Sequence, residues 1–112
     1  MKLIEVYKAL SDISRIKILN ILLEEELCVC EIETVLEMSQ SNVSRHLNKL
    51  KQADMVDFRK ESQWVYYSIG EEFINKYPEL FNHLKKSFAE IEELVVDKHK
   101  LIELKQQGSI CN

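Results

Sequence analysis

Apolar side chains recur at helical spacing through most of this chain and approach strand-like alternation over one short stretch only. Leu3, Val6, Tyr7 and Leu10 fall at i, i+3, i+4 and i+7 and predict a short amphipathic helix over residues 1–10. Ser11-Asp12 punctuates the pattern and offers a cap. Ile13, Ile16, Ile18, Leu19, Ile21, Leu22 and Leu23 then cover most of the circumference of a second, buried helix, which the run Glu24, Glu25, Glu26 ends. Val29, Ile32 and Leu36 predict a third short helix over 28–36. Ser39 is placed to N-cap a fourth over 39–53.

Residues 58–61 and 63–69 read as two short strands around Glu61-Ser62, the second rich in Trp, Val and Tyr. The helical pattern returns from Glu71 to about Gln107, interrupted by Pro78, with one long helix expected over 79–105. Leu80, Leu84, Phe88, Ile91, Val95 and Ile102 run down one side of it, with Lys98 the polar break. A long apolar-striped helix in a chain of 112 residues needs a partner surface. The expected fold is therefore mainly α with a small β-hairpin: a winged helix-turn-helix with N- and C-terminal dimerisation helices. Residues 1–107 form the DNA-binding and dimerisation domain, and 108–112 a flexible C-terminal tail.

A hydrophobic fraction of 46% suits one modest core. No stretch approaches the ~18 apolar residues of a membrane span, and the charged N-terminus has no signal-peptide core, so a cytoplasmic protein without membrane contact is expected. Two glycines and one proline leave little room for tight loops. The net charge of −4 looks wrong for a DNA binder, but the charge is segregated. Residues 24–38 carry six acids and no base, whereas 39–60 carry Arg45, Lys49, Lys51, Arg59 and Lys60 against Asp54 and Asp57. A local basic footprint is what phosphate contact requires.

With Val43, Leu47 and Leu50 on the inner face of the fourth helix, Ser41, Ser44, Arg45 and Asn48 project outward, and Gln40 lies at the N-terminal edge. Short polar groups and an arginine are the side chains that read base edges. Candidate DNA contacts are thus Gln40, Ser41, Ser44, Arg45, Asn48 and Lys49 on the helix, and Arg59 and Lys60 at the hairpin. An ordinary solvated helix face is the plain alternative; the short helix before and the strand pair after favour DNA. His46 falls toward the core flank and is expected to be a packed, hydrogen-bonded histidine rather than a ligand.

Cys28-Val29-Cys30 lies just ahead of this helix. Thiolates select soft ions, so their adjacency to a reading helix suggests ion binding coupled to DNA release. On a regular helix residues two apart lie roughly 200° apart, so one turn must open or be irregular for both sulfurs to meet one ion. A trigonal metalloid site would want a third sulfur. Cys111 is the only other cysteine, on the tail after Gly108; Glu33, a turn beyond Cys30, offers a hard oxygen better suited to zinc or cadmium. Two inert buried cysteines are the bland alternative.

Glu26-Leu27-Cys28-Val29-Cys30-Glu31-Ile32 resembles the metalloid-binding box of the ArsR/SmtB repressors. The segment from Leu10 to Arg15 resembles the stretch before their second helix, the segment from Gln40 to Leu47 their recognition helix, and the segment from Trp64 to Ile69 their wing's return strand. The similarity covers most of residues 3–70 and is nearest the arsenic- and antimony-responsive subgroup. It implies a homodimer that represses a resistance operon and leaves its operator DNA when As(III) or Sb(III) binds. No resident cofactor is required. It also implies that Gln40, Ser41, Ser44 and Arg45 face the major groove. Two departures stand out. Glu33 occupies the place of a third box cysteine, and the last-helix zinc and cobalt ligands are replaced by Glu71, Phe73, Leu84 and Ser87, with His83 out of register and His99 on the surface.

The inducer ligands expected are therefore Cys28 and Cys30, with Cys111 auxiliary. Other thiophilic metals (cadmium, lead, zinc) or thiol oxidation are rival signals on the same fold. A Cys28–Cys30 disulfide ranks lower because cysteines two apart on a helix bridge only with strain. An enzyme such as a thiol-dependent arsenate reductase is a remote alternative. Thr34 and Leu36 stand where an oxyanion-cradling loop would carry arginine, and no glycine-rich loop exists.

Overall fold

The computed structural model describes residues 1–111. Seven helices and a three-stranded sheet follow in the order α1 (Lys2–Leu10), α2 (Ile13–Leu22), β1 (Leu27–Cys28), α3 (Val29–Leu36), α4 (Gln40–Gln52), β2 (Val56–Glu61), β3 (Trp64–Ile69), α5 (Glu71–Lys76), α6 (Pro78–Ala89) and α7 (Glu92–Gln106). This is the expected winged helix-turn-helix, with α3 and α4 as the helix pair and β2–β3 as the wing. Among the described residues no helix is long and apolar enough to cross a membrane.

Local signals place the first four helices. Asp12 caps α2 by accepting the Arg15 N–H at 3.1 Å, and Ser39 caps α4 by accepting that of Asn42 at 3.2 Å. Glu37 closes α3 in the left-handed conformation, at φ 55°. Val43, Leu47 and Leu50 of α4 pack with Ile18, Leu19 and Ile21 of α2 and Ile32 and Val35 of α3 in one core. The α1 pattern divides differently from the expected stripe. Val6 and Ala9 are buried, while Leu3, Ile4 and Tyr7 lie exposed on the outer face.

Three features depart from the sequence reading. Leu27 and Cys28 form an extra strand, antiparallel to β3 with Leu27 opposite Tyr67 and Cys28 opposite Tyr66. The third helix accordingly starts at Val29, with Cys28 as its extended N-cap.

The expected long helix is two. It breaks at Glu90-Ile91, where Ile91 is extended (φ −95°, ψ 114°) and caps α7. Neither glycine nor proline marks this break; the phases of the two apolar faces do. Phe88 and Leu94 are both buried, yet six residues of continuous helix would rotate one roughly 240° from the other. Leu94, Asp97 and Leu101 form the inner face of α7, and Ile91 and Ile102 stay exposed. Pro78, expected only as an interruption, opens α6 at its first turn, where its missing N–H costs nothing.

The third departure is the C-terminus. Gly108 turns the chain at φ +116°, Ile110 packs against the core and Cys111 is disulfide-bonded to Cys30. Residues 108–111 thus fold back onto the domain; Asn112 of the expected flexible tail lies outside the described residues.

Gly70 ends β3 where the chain passes close to the end of α4. Its N–H donates to Met55 O at 2.8 Å, and a Cβ there would stand 2.8 Å from Asp54 O. Only glycine fits.

Candidate functional site

Four of the six acids ahead of the reading helix pair with lysines of α7. Lys105 of α7 bonds Glu31 at 2.5 Å and Glu25 at 3.2 Å, Lys98 pairs with Glu24 at 3.4 Å, and Lys100 pairs with Glu37 at 2.8 Å. Those lysines are already counted in the net charge of −4, so pairing leaves the total unchanged; it weakens the negative field of the acids beside the basic footprint of α4.

On α4, Gln40, Ser41, Arg45, Asn48 and Lys49 are exposed and Ser44 is half-buried. Arg45 Nη2 donates to Asn42 Oδ1 at 3.4 Å and lies 3.4 Å from His46 Nε2. His46 is buried, as expected of a packed histidine. Lys49 lines an open groove with Lys8, Arg15, Gln52 and Glu5. On the wing Lys60 is exposed. Arg59, read from sequence as a phosphate contact, is already engaged: its guanidinium bonds Glu26 through both carboxylate oxygens and Glu61 through one. Those carboxylates raise its pKa further. The pair fastens the wing to the segment before β1, and among the described residues Lys60 is left as the wing cation without an ion pair.

Cys28 and Cys30 do not share a helix face, because Cys28 precedes the helix. It is buried as the last residue of β1, and its backbone N–H donates to Glu31 Oε1 at 3.0 Å. The helix N-terminus and the acidic run pull its acidity in opposite directions, and the structure decides the contest. Burial, reinforced by the Glu31 carboxylate, pushes the Cys28 thiol up despite the backbone N–H groups around it. Glu31 stays ionised: burial opposes this, but Lys105 and the Cys28 N–H outweigh burial and hold its carboxyl below the usual range.

Cys30 is joined to Cys111, their Cα atoms 6.3 Å apart. The oxidised pair is thus not Cys28–Cys30, whose short spacing disfavours it, but a link across 81 positions of sequence. A groove of about 300 Å³ is lined by Cys28, Val29, Cys30, Glu33, Gln40, Gln63, Trp64 and Val65. A second, of about 180 Å³, brings Cys111 and Ser109 to Cys28, Glu31, Trp64 and Tyr66. All three cysteines therefore gather at one corner, between the end of α7, the start of α3 and the wing, with Gln40 of the reading helix lining the first groove.

With Cys30 and Cys111 bonded to each other, no group of three His, Cys, Asp or Glu side chains among the described residues is arranged to hold a metal ion. The donor set suits a soft ion only after reduction, when three thiols stand at the corner. Glu33 lines the Cys28–Cys30 groove, as its spacing suggested. His83 is exposed and 3.3 Å from Ser87 Oγ, and His99 is exposed. Sequence reasoning missed Trp64 and Tyr66 as neighbours of the thiols and Lys105 as the partner of Glu31. Only the alternation of β3 hinted at the first two.

Comparison with known proteins supplies an independent reading. The family model described as "Bacterial regulatory protein, arsR family" matches residues 12–57, from the α2 cap to the start of the wing. The chain is 42% identical over 80 residues to a cadmium resistance transcriptional regulatory protein CadC homolog of Staphylococcus aureus, covering 70% of this chain and 66% of that protein. It is 46% identical over 68 residues to an arsenic resistance transcriptional regulator of Pseudomonas putida, covering 60% and 53%. Among solved structures, a homodimeric winged helix-turn-helix DNA-binding domain of Mycobacterium bovis, described as a possible ArsR-family regulator, superposes with TM-score 0.66 at 29% identity, covering 76% of this chain and 79% of that one. The chain spans between about half and two thirds of the length of the first curated relatives it matches.

Proposed function

Since the chain belongs to the ArsR family of bacterial regulatory proteins, we propose that it is a metal-responsive transcriptional repressor whose inducer is As(III) or Sb(III). It acts as a homodimer on operator DNA. Leu3, Ile4 and Tyr7 of α1 and Val96 and Ile102 of α7, exposed on a single subunit, supply apolar surface for the second copy. Gln40, Ser41, Ser44, Arg45 and Asn48 address base edges, and Lys49 and Lys60 address phosphates.

One observation carries the proposal: Cys28 is at once the strand partner of Tyr66 in the wing and the N-cap of α3. A soft ion drawn to Cys28 and Cys30 therefore strains the joint from which both DNA-contacting elements hang. Ligand affinity becomes a bias against the DNA-bound arrangement. In the reduced protein Cys111 supplies the third sulfur, in place of the box cysteine that Glu33 replaces. Three sulfurs favour a trivalent metalloid over zinc, which takes nitrogen and oxygen as readily.

The Cys30–Cys111 bond favours a second reading, in which thiol oxidation is itself the signal. Two thiols would give two electrons and two protons to a hydroperoxide, yielding the disulfide, water and an alcohol. Fluorescence anisotropy on upstream promoter DNA separates the readings. The reduced protein is titrated with As(III), Sb(III), Cd(II), Pb(II) and Zn(II), and a parallel sample with hydroperoxide. Release by As(III) or Sb(III) at the lowest concentrations supports the metalloid reading. Release by hydroperoxide alone supports the second.

A further inference from the structure

We infer that His46 is a positioning residue for base reading: its Nε2 accepts a hydrogen bond from Arg45, while the Asp12 carboxylate at the start of α2 faces the ring's other edge. This rests on the DNA-reading role of α4 proposed above.

The imidazole faces inward, 4% exposed, yet both of its nitrogens meet polar partners. Nε2 stands 3.4 Å from Arg45 Nη2; Nδ1 stands 3.3 Å from Arg15 Nη1 and 3.9 Å from Asp12 Oδ1. A neutral imidazole has one N–H and one acceptor, so it cannot accept from both arginines at once. Arg15 does not depend on it. Its Nε donates to Ala9 O at 2.9 Å and its Nη2 to Lys8 O at 3.2 Å. Arg45 has only Asn42 Oδ1 besides His46 among the described residues. The Asp12 carboxylate, anchored by the Arg15 N–H, is at 3.9 Å too far to accept a hydrogen bond from Nδ1, but it is the one acceptor near that nitrogen among the described residues, and its charge favours the ring proton there. Nε2 is then left to accept from Arg45.

Protonation would remove the Nε2 acceptor and set a third cation between two arginines. Burial and those arginines hold the ring neutral, against Asp12 alone. Arg45 is thereby held at Nη2 by two acceptors, with Nε and Nη1 free for a base. An arginine fixed in this way loses less side-chain freedom on binding than one swinging on an exposed helix.

Two measurements test the arrangement. Ring ¹⁵N–¹H correlation spectra of the free protein should show the proton on Nδ1, with the Nε2 resonance moving in Arg45→Ala. A proton on Nε2 overturns the inference, whether or not DNA binds. Operator binding is then compared with binding to single-base-pair variants of the operator, using wild type, His46→Leu, His46→Gln, Arg45→Ala and His46→Leu/Arg45→Ala, each shown folded by thermal melting. His46→Leu should lose about tenfold of discrimination at the base pair where Arg45→Ala loses it, with no added loss in the double variant and an unchanged salt slope. His46→Gln, which returns an acceptor near Nε2, should keep the discrimination. Equal weakening on all sequences, or losses that add in the double variant, would reduce His46 to a core residue. A wild type without any sequence preference would overturn the DNA-reading proposal, leaving the ring measurement to decide the hydrogen bond by itself.

Discussion

Cys28 lies directly opposite Tyr66, the end of a two-residue strand paired to the return strand of the wing. The next residue begins α3, and the two grooves beside this joint are both walled by Trp64, one of them bordered by Gln40. A side chain at this point cannot move without loading the wing or the helix pair that carries α4. Under the proposed function, a thiol there is a lever as well as a ligand.

Glu31 should govern the chemistry of that lever. It accepts the Cys28 N–H, holds Lys105 and raises the Cys28 thiol pKa. Glu31→Gln should lower that pKa, read as faster alkylation of Cys28 at neutral pH. It should also cost about 1–2 kcal/mol in urea unfolding, since a charged hydrogen bond is weakened while Lys105 keeps Glu25.

The pH dependence should differ between ions. Cys28 is a thiol at neutral pH, so binding of a divalent ion such as Cd(II) must expel its proton. Below the raised pKa, Cd(II) affinity should climb about tenfold per pH unit for each thiol deprotonated. As(III) arrives as As(OH)3, and each thiol proton leaves with a hydroxide as water, so As(III) affinity should stay nearly flat over the same range. Isothermal titration in buffers of different ionisation enthalpy counts the protons released. Cd(II) affinity flat with pH would mean that Cys28 is not a ligand.

His46 should make stability fall on the acid side. Its folded-state pKa is depressed, chiefly by burial, so the unfolded chain takes up the proton first. Its contribution is intact above the unfolded value of about 6.5 and is lost as pH drops from there toward the lowered folded value. Urea midpoints from pH 8 to pH 5 should show this slope in wild type and lose it in His46→Gln.

Gly70→Ala should unhinge the wing. The added methyl meets Asp54 O and the Met55 carbonyl carbon, both backbone and unable to turn aside. A loss of about 1–3 kcal/mol in thermal or urea unfolding is expected, with hydrogen exchange accelerated first in Val56 and Ile69, the pair at the base of the hairpin.

The sequence was most legible where local chemistry decides structure. The Asp12 and Ser39 caps, the apolar phase of Val43, Leu47 and Leu50, and the aromatic strand from Trp64 place α2, α4 and the wing within a residue or two. The outward set of α4 follows from the same phase, and so does the buried His46. What escaped is non-local. A strand of two residues has no periodicity to detect, and only its pairing with Tyr66 and Tyr67 makes Leu27-Cys28 a strand. The break before α7 carries no glycine or proline and follows from where Phe88 and Leu94 find the core. Arg59 looked free because Glu26 lies 33 positions away in the chain. Cys30 and Cys111 meet only because Gly108 turns the chain back after α7.

The most direct test of metalloid sensing by the thiol corner is As(III) titration of preformed operator complexes of the reduced protein. Wild type, Cys28→Ser/Cys30→Ser and Cys111→Ser are compared by fluorescence anisotropy. Release in wild type, abolished in the double variant and shifted to higher As(III) in Cys111→Ser, is the expected result. Equal release in wild type and the Cys28→Ser/Cys30→Ser variant would contradict it.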